Sequence, residues 1–198
     1  EPQEFIDLLS PITPRLYSIS SSPKVHPGEV HLTIAIVKYN NFDRERFGLA
    51  TGHLANKTEV NRTKIPIYIQ PTKEFIIPKQ SSKDIIMIGP GTGIAPFRAF
   101  IEHRKATGSS GRNWLFFGEI HEASTFFYKE EWSDYMKEGH LDKLTTAFSR
   151  DQENKIYVQH RLLNNGKALW KWLKNGAYFY VCGDKQYMAK DVHSALIE

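Results

Sequence analysis

From Asp84 onward the sequence alternates short apolar runs with amphipathic stretches, and no other feature restricts the possible folds as much. The apolar runs are typical of buried strands and read "DIIMIG", "NWLFFG", "KLTTAFSR" and "AYFYVCGD". The stretches between and after them have helical spacing and read "PFRAFIEHRKAT", "FFYKEEWSDYMKEG", "YVQHRLLNNGKALWKWLKNG" (interrupted near Gly166) and "MAKDVHSALIE". Strands that alternate with helices predict right-handed crossovers and a parallel sheet with helices on both faces.

The first 80 residues have a different pattern, in which alternating and β-branched segments predominate. The candidate strands are "RLYSIS", "EVHLTIAIVKY", "IPIYIQP" and "EFIIP". Between the second and the third, "GLATGHLAN" predicts a short helix that opens at Gly48. We therefore predict an α/β chain with a partial antiparallel β-barrel. Residues 1–80 form about half of a barrel or sandwich, and residues 81–198 form the parallel-sheet domain.

Composition narrows the class of protein. The 198 residues are 40% hydrophobic and 24% charged, as in ordinary globular proteins. No apolar run approaches the length of about 20 residues that a membrane helix needs. A single cysteine excludes an internal disulfide and predicts a cytoplasmic location. The net charge is +4, but the basic residues are scattered, so we expect no nucleic-acid partner.

Two further expectations come from the histidines and from the chain ends. The eight histidines show no ligand spacing with a second ligand type, so no metal site is predicted. The sequence starts at Glu1 rather than methionine and stops at Glu198 inside a helical pattern. We therefore expect a piece of a longer chain.

Three clusters follow predicted strands, at the ends where sheets of this kind bind ligands: Gly89–Pro96, Ser149–Arg150 and Cys182–Asp184. The first cluster suits an anion, because backbone N–H groups at a helix start attract one. It is not a P-loop, which would continue with lysine after Gly93. It is not a dinucleotide fingerprint either, because Pro96 stands where that motif has glycine or alanine. The loop indicates a nucleotide without specifying which one.

The loop "SRDQENKIYVQ" follows the third of these strands. Ser149, Arg150 and Lys155 offer the hydroxyl and cationic donors that a phosphomonoester requires, and Tyr157 offers an aromatic face for adenine. This set fits the 2′-phosphate of NADPH better than NADH, whose ribose requires a carboxylate such as Glu119. A solvated polar turn is the alternative interpretation.

Two other motifs are ambiguous by themselves. Cys182 in "YVCGD" either contacts a bound cofactor or fills space as a small buried hydrophobe. In "RLYS", Arg15 and Tyr17 share one face of a strand, which suits the pyrophosphate and ring of a flavin dinucleotide. An ordinary barrel strand has the same alternation.

Taken together, five motifs resemble the ferredoxin–NADP⁺ reductase family in order and spacing: "TPRLYSISSS", "GPGTGIAPFRAFIEHR", "NWLFFGE", "FSRDQENKIYVQ" and "YVCGDKQYMAKDV". They span nearly the whole chain and are most similar to the diflavin reductase branch, which includes the flavoproteins of NADPH-dependent sulfite reductases. The resemblance implies an FAD-binding first domain and an NADP(H)-binding second domain. It implies hydride transfer from NADPH to FAD, then electron transfer to an FMN-binding flavodoxin-like domain and a haem or iron–sulfur acceptor.

The resemblance also assigns residues. Arg15 would contact the FAD pyrophosphate, Tyr17 the isoalloxazine and Ser18 the region near N5, and Cys182 would lie beside the nicotinamide. Ser18 and Cys182 are the implied catalytic residues. The other implied FAD positions are Leu16, Thr33, Ala35, Tyr39, Gly48, Leu49, Ala50 and Thr51. The implied NADPH positions are Gly91, Thr92 and Gly93 at the nicotinamide end, and Ser149, Arg150, Lys155, Tyr157, Gln159 and Asp191 toward the 2′-phosphate and adenine.

The sequence departs from the family pattern in some respects. Gly52 stands where a second hydroxyl residue is common, which predicts a weaker site for the FAD phosphates. We expect the FMN domain, the first barrel strands and a C-terminal aromatic that covers the flavin to lie outside this sequence. The alternative function is therefore an NADP-binding module that does not retain FAD and is not catalytic on its own.

Overall fold

The computed structural model describes all 198 residues and divides them into two compact units. The first, here the minor unit, comprises Glu1–Tyr17 and Ala35–Gln70. The second, the major unit, comprises Ser18–Ile34 and Pro71–Glu198. No helix in either unit combines the length and the apolar composition needed to cross a membrane.

The minor unit contains helix α1 (Pro2–Asp7), an antiparallel hairpin of β1 (Lys38–Asn41) and β2 (Arg44–Phe47), and helix α2 (Leu49–Asn56). Phe42 and Asp43 have φ angles of 50° and 54°, as the tight turn of a two-residue hairpin requires. Helix α2 confirms the helix predicted at Gly48. Its start is tied to the preceding chain, because Gly48 N–H donates to the Val37 carbonyl (2.8 Å) and Val37 N–H donates to Thr51 Oγ1 (3.1 Å).

The predicted barrel half is not shown. No strand forms over "RLYSIS", "IPIYIQP" or "EFIIP", and only the last two residues of "EVHLTIAIVKY" belong to a strand. One antiparallel bridge joins Ile19 and Leu32, beside a hydrogen bond from Ser20 N–H to the His31 carbonyl (2.8 Å). A strand needs backbone partners on a neighbouring segment, and these segments have few such partners in the described chain.

The major unit is built on the predicted parallel sheet. Its strands are β3 (Ile85–Ile88), β4 (Asn113–Glu119), β5 (Lys143–Phe148) and β6 (Tyr178–Val181), in the order β5-β4-β3-β6. A 3₁₀ turn (Gly91–Ile94) follows β3, and the helices are α3 (Ala95–Ala106), α4 (Glu122–Thr125), α5 (Lys129–Lys137), α6 (Val158–Asn164), α7 (Gly166–Lys174) and α8 (Met188–Ile197). The break between α6 and α7 confirms the predicted interruption near Gly166.

Helices cover both faces of this sheet, as predicted. Ile85 and Met87 point to one face, where they pack with apolar side chains of α3 and α5 such as Phe97 and Trp132. The alternate residues of β3, represented by Ile86, point to the other face and pack with α6, α7 and α8. Successive side chains of a strand point to opposite faces, so β3 contributes to two separate cores.

The boundaries of two helices are set by local backbone conformation. Helix α3 has Pro96 in its first turn and ends just before Gly108. Gly108 has a φ of +63°, the left-handed conformation with which many helices terminate. Helix α5 starts three residues later than "FFYKEEW" predicts, because Tyr128 has a left-handed φ of 60°. Phe126 and Phe127 therefore leave the helix and pack against the core around Phe117.

Candidate active site

The strand order creates a crevice at the carboxyl edge of the sheet. The chain passes from β3 to β4 on one side, whereas β6 pairs with β3 on the other side. Such a change of direction leaves the loops after the two neighbouring strands apart, and ligands of open α/β sheets bind there. The loop after β3 carries Gly91–Ile94, and the loop after β6 carries Cys182 and Gly183.

These two loops approach each other at the backbone. A Cβ atom on Gly93 would lie 2.0 Å from the Cys182 carbonyl oxygen, so only glycine fits at this position. Gly91 has a φ of +56°, and the nearest atom to its hypothetical Cβ is Glu119 Oε1 at 3.9 Å. The space beside Gly91 is therefore open, whereas the space beside Gly93 is filled by the end of β6.

Cys182 and Ser18, the two implied catalytic residues, both belong to the major unit. Burial raises the pKa of Cys182, and the Ser18 side chain acts in the opposite direction without reversing this shift. The side chain is therefore a neutral, half-buried thiol near pH 7, which suits contact with a cofactor better than nucleophilic attack.

The loop after β5 presents the residues predicted to bind the 2′-phosphate. The backbone N–H groups of Ser149 and Arg150 donate to the carbonyls of Glu119 and Ile120 (2.8 and 3.0 Å), so the loop leaves the sheet beside β4. Arg150 and Lys155 are exposed, and the Tyr157 side chain immediately precedes α6. The loop therefore offers two cationic side chains and one aromatic ring to solvent.

The carboxylates near this loop are already engaged. Asp151 accepts hydrogen bonds from Glu122 N–H and His121 Nδ1 (both 2.8 Å), and these bonds hold its pKa below the ordinary value. Gln159 Nε2 donates to Asp191 Oδ2 (3.1 Å) and so joins two of the implied NADPH residues across α6 and α8.

Asp184, in the third predicted cluster, has a structural role at the start of α8. It accepts hydrogen bonds from the backbone N–H groups of Tyr187 (2.6 Å) and Gln186 (3.2 Å) ahead of α8, and hydrogen bonds of this kind lower its pKa. This arrangement stabilises the start of the helix that carries Asp191.

A buried ion-pair network that the sequence did not predict anchors Ser18–Ile34 to the rest of the major unit. Arg98 pairs with Glu131 (2.7 Å) and with Glu102 (3.1 Å), and its Nη1 donates to the Ser20 carbonyl (2.8 Å). Glu102, only 3% exposed, also accepts a hydrogen bond from Ser22 N–H (2.7 Å). The only sequence signal was the i, i+4 spacing of Arg98 and Glu102 on α3.

Thr33, an implied FAD residue, is held by a second unpredicted contact. Its Oγ1 lies 2.7 Å from the Tyr128 hydroxyl, and the Arg98 guanidinium lies 4.9 Å from the centre of the Tyr128 ring. Tyr128 is the residue with the left-handed backbone before α5. Its strained conformation thus directs the phenol toward the segment that carries Thr33.

The implied FAD residues are divided between the units. Ser18 and Thr33 belong to the major unit, and the remaining ones belong to the minor unit: Arg15, Leu16, Tyr17, Ala35, Tyr39, Gly48, Leu49, Ala50 and Thr51. Arg15 is exposed, and its Nη1 donates to Thr13 Oγ1 (2.6 Å). Close packing explains why position 52 is a glycine, since a Cβ atom on Gly52 would lie 2.6 Å from Phe47 Cβ. A hydroxyl side chain at this position would clash with β2.

The donor set matches a phosphorylated dinucleotide better than a metal or a neutral ligand. The carboxyl edge has an open, glycine-lined approach at Gly91 and two exposed cations in the loop after β5. In the minor unit, α2 begins at Leu49 without a side-chain cap, so its first N–H groups can donate to an anion. These are the groups with which proteins hold nucleotide phosphates.

Comparison with known proteins agrees with this chemistry. Residues 87–194 match the family described as "Oxidoreductase NAD-binding domain", and residues 2–53 match "FAD binding domain". The curated relatives include the "Sulfite reductase [NADPH] flavoprotein alpha-component" of Photorhabdus laumondii, which is 52% identical over the whole chain. Proteins of the same name from Shewanella oneidensis and Bacillus subtilis are 50% and 46% identical over 98% and 99% of the chain. The chain spans 33%, 32% and 32% of these three relatives, that is, about a third of their length.

Proposed function

The chain belongs to the oxidoreductase NAD-binding domain family, and we propose that it is the FAD- and NADPH-binding part of an NADPH-dependent flavin reductase. The observation that carries this proposal is the close approach of Gly93, in the loop after β3, to the Cys182 carbonyl just after β6. Two residues assigned to the nicotinamide end of NADPH thus lie together at the carboxyl edge, where this type of sheet binds ligands.

Each side of the crevice has a separate task in this proposal. Arg150, Lys155 and Ser149 bind the 2′-phosphate, and Tyr157 stacks on the adenine. Gln159 and Asp191, joined by their hydrogen bond, complete the NADPH side. The open backbone at Gly91, with Thr92 and Gly93, admits the nicotinamide end.

The flavin contacts are proposed for each unit by itself. In the minor unit, Arg15 and the start of α2 at Gly48, Leu49, Ala50 and Thr51 bind the pyrophosphate, and Tyr17 packs on the isoalloxazine. Leu16, Ala35 and Tyr39 are further flavin contacts of this unit. In the major unit, Thr33 is the proposed flavin contact. When bound, FAD accepts the hydride of NADPH and returns electrons singly. Ser18 and Cys182 orient the reacting rings and keep water away.

The remaining proposals concern the longer chain. We infer that residues 1–80 complete an FAD-binding β-barrel with other parts of that chain, and that residues 81–198 are the NADP(H)-binding domain. We infer that electrons then pass to an FMN-binding domain and to a haem or iron–sulfur acceptor, as the resemblance to the diflavin reductase branch implies. The single cysteine supports a cytoplasmic location.

The proposal is tested by anaerobic flavin reduction in the stopped flow. Purified protein is loaded with FAD and mixed with NADPH or NADH, and the loss of flavin absorbance is followed. We expect NADPH to reduce the flavin much faster than NADH. Equal rates with both nucleotides would contradict the 2′-phosphate assignment and favour Glu119 as a ribose acceptor.

Cys182→Ala tests the crevice itself. We expect slower flavin reduction with nearly unchanged NADP⁺ affinity, because the thiol contacts the reacting end of the nucleotide. Cys182→Ser, which keeps the size and a hydrogen-bonding atom, is the matched control and should retain more of the rate. A reduction rate unchanged in Cys182→Ala would make Cys182 a packing residue only.

One observation favours a second candidate, an NADP-binding module that does not retain FAD. The minor unit buries only Thr51 and Gly52, whereas large apolar side chains such as Leu8 (82% exposed) and Ile12 (81%) face solvent. Calorimetric titration of the 198-residue chain with NADP⁺ and separately with FAD decides between the two. Binding of NADP⁺ without FAD would establish the second candidate for this part of the chain.

A further inference from the structure

A turn in the Ser18–Ile34 segment gathers two imidazoles and a carboxylate that the proposed function does not use. The ligand atoms of His26, Glu29 and His31 all lie within 4.8 Å of one another. The rings of His26 and His31 have centroids 4.3 Å apart, and His31 Nε2 lies 2.9 Å from Glu29 Oε2. The sequence predicted no metal site, because the eight histidines show no ligand spacing with a second ligand type. The fold brings these three side chains together.

Hydrogen bonds within this turn order its backbone in the absence of a ligand. His26 N–H donates to the Ser22 carbonyl (2.9 Å), and His31 N–H donates to Ser21 Oγ (3.0 Å). Gly28 supplies the positive φ of +81° that reverses the chain between the two histidines. A site that is already ordered loses less entropy when it binds an ion.

Glu102 on α3 supplies the outer contact typical of a metal-binding histidine. Its Oε1 lies 3.3 Å from His26 Nε2, a contact that orients the imidazole ring. Glu102 is itself held by Ser22 N–H and by Arg98. A carboxylate fixed from two sides is suited to position an imidazole ligand.

The local charge favours a cation. Glu29, Glu102 and Glu131 carry three negative charges, and Arg98 carries the one positive charge that pairs with two of them. A divalent cation would balance the excess charge of the cluster.

We propose that His26, Glu29 and His31 form a binding site for a zinc-class transition-metal ion, with Glu102 as the positioning residue for His26. Two imidazoles with one carboxylate suit Zn²⁺, Co²⁺ or Ni²⁺, whereas Mg²⁺ and Ca²⁺ prefer oxygen ligands throughout. Donor atoms around tetrahedral Zn²⁺ are about 3.3 Å apart, so the side chains close on the ion by shifts of about 1 Å. The bound ion would clamp the turn next to α3.

The test uses chelator-treated protein without a polyhistidine tag, titrated with Zn²⁺ against a chromophoric chelator and with Co²⁺ in the visible range. We expect one Zn²⁺ per chain and the intensified d–d bands of Co²⁺ in a nitrogen–oxygen site. His26→Ala and His31→Ala should each lower the affinity for Zn²⁺ by at least about tenfold, and Glu102→Gln should lower it by about 10- to 100-fold. His193→Ala, which removes an exposed histidine of α8, is the matched control and should leave binding unchanged.

Several outcomes would overturn the site. Zn²⁺ affinity equal in the wild type and in the His26→Ala/His31→Ala double variant would do so, as would an octahedral, water-like Co²⁺ spectrum in the wild type. Circular dichroism verifies that each variant is folded. If Glu102→Gln unfolds the protein, the histidine variants and the Co²⁺ spectrum of the wild type still decide.

Discussion

The two units differ sharply in how far they bury their apolar side chains. In the major unit, β3 and β4 bury Ile85–Ile88 and Trp114–Phe117 completely. In the minor unit, large apolar residues from Leu8 to Ile69 are exposed, and neither strand of its hairpin buries a side chain. A large exposed apolar surface normally marks a place where other protein packs. The major unit therefore contains its own core, whereas the minor unit lacks one in this chain.

The largest difference in stability effect between the units is expected when one isoleucine of each unit is replaced by alanine. Ile101 on α3 is 0% exposed, and Ile12 in the minor unit is 81% exposed. Ile101→Ala should lower the free energy of unfolding by about 4 kcal/mol, because it removes buried methyl groups and leaves a cavity. Ile12→Ala should change it by less than about 0.5 kcal/mol. Urea unfolding followed by tryptophan fluorescence measures both.

Both variants make the same chemical change, so each is the control for the other. Similar losses of unfolding free energy in the two variants would remove the contrast between the units, since they would mean that Ile12 is buried in solution.

The next contrast concerns ion pairs. Arg98 is 11% exposed and neutralises Glu102, which is 3% exposed, whereas the Arg62–Glu59 pair of the minor unit is 82% and 68% exposed. Arg98→Ala should cost about 3 kcal/mol of unfolding free energy, because it leaves a buried carboxylate without a cation. Arg62→Ala should cost less than about 0.5 kcal/mol.

A double-mutant cycle separates the charge from the packing of Arg98. Arg98→Ala/Glu102→Gln should be more stable than Arg98→Ala alone, because the second change removes the uncompensated charge. A double variant less stable than Arg98→Ala would show that packing, not charge, makes Arg98 important.

The same contrast explains which parts of the fold were predictable from the sequence. The strands and helices after Asp84 were predicted, and the four strands of the sheet pair with one another within this chain. Of the strand predictions before Pro78, only the end of "EVHLTIAIVKY" is confirmed, since alternation alone supplies no partner strand. The hairpin turn at Phe42 and Asp43 was missed, because non-glycine residues with positive φ leave little local signal.

Prediction of the site had similar limits. Convergence of the glycine-rich loop, the loop after β5 and Cys182 at one sheet edge followed from topology alone. The resemblance to the ferredoxin–NADP⁺ reductase family, which the comparisons confirm, drew attention to Ser18 and Cys182. The bond between Arg98 and Ser20 joins residues 78 positions apart, and no local pattern predicts such a contact.

A third prediction concerns nucleotide binding by the two units. Arg150 in the major unit and Arg44 in the minor unit are both exposed, so their removal should affect stability little. Arg150→Ala should weaken NADPH binding by about 2 kcal/mol, or about 30-fold in affinity, because it removes a charged hydrogen bond to the 2′-phosphate. The affinity of the Arg150→Ala variant for NADH should change little. Arg44→Ala, the matched control, should leave both nucleotides unaffected in fluorescence titrations, and equal losses for NADPH and NADH in Arg150→Ala would refute the assignment.

The smallest difference in stability effect is expected between two surface ion pairs, one from each unit. Asp84 accepts two hydrogen bonds from the Arg112 side chain (2.6 and 3.1 Å) and one from Arg112 N–H (2.7 Å), whereas Lys38 and Glu45 pair across the exposed hairpin. Partial burial alone would raise the pKa of Asp84, but the bonds from Arg112 outweigh it and hold the pKa below its usual value. Arg112 is 47% exposed, so Asp84→Asn should cost only about 1 kcal/mol at pH 7, and Glu45→Gln about 0.3 kcal/mol.

The pH dependence of Asp84→Asn gives the decisive measurement. A carboxylate with a lowered folded-state pKa stabilises the fold at every pH above its unfolded value of about 4 and loses this contribution as the pH falls through the folded value. The difference in unfolding free energy between wild type and Asp84→Asn should therefore be constant from pH 8 to about 5 and disappear as the pH falls through the folded-state pKa of Asp84. A difference that persists in acid would mean that the amide introduced by Asp84→Asn disturbs the start of β3 sterically. In that case the charge of the Asp84–Arg112 pair would contribute nothing measurable to the stability of the major unit.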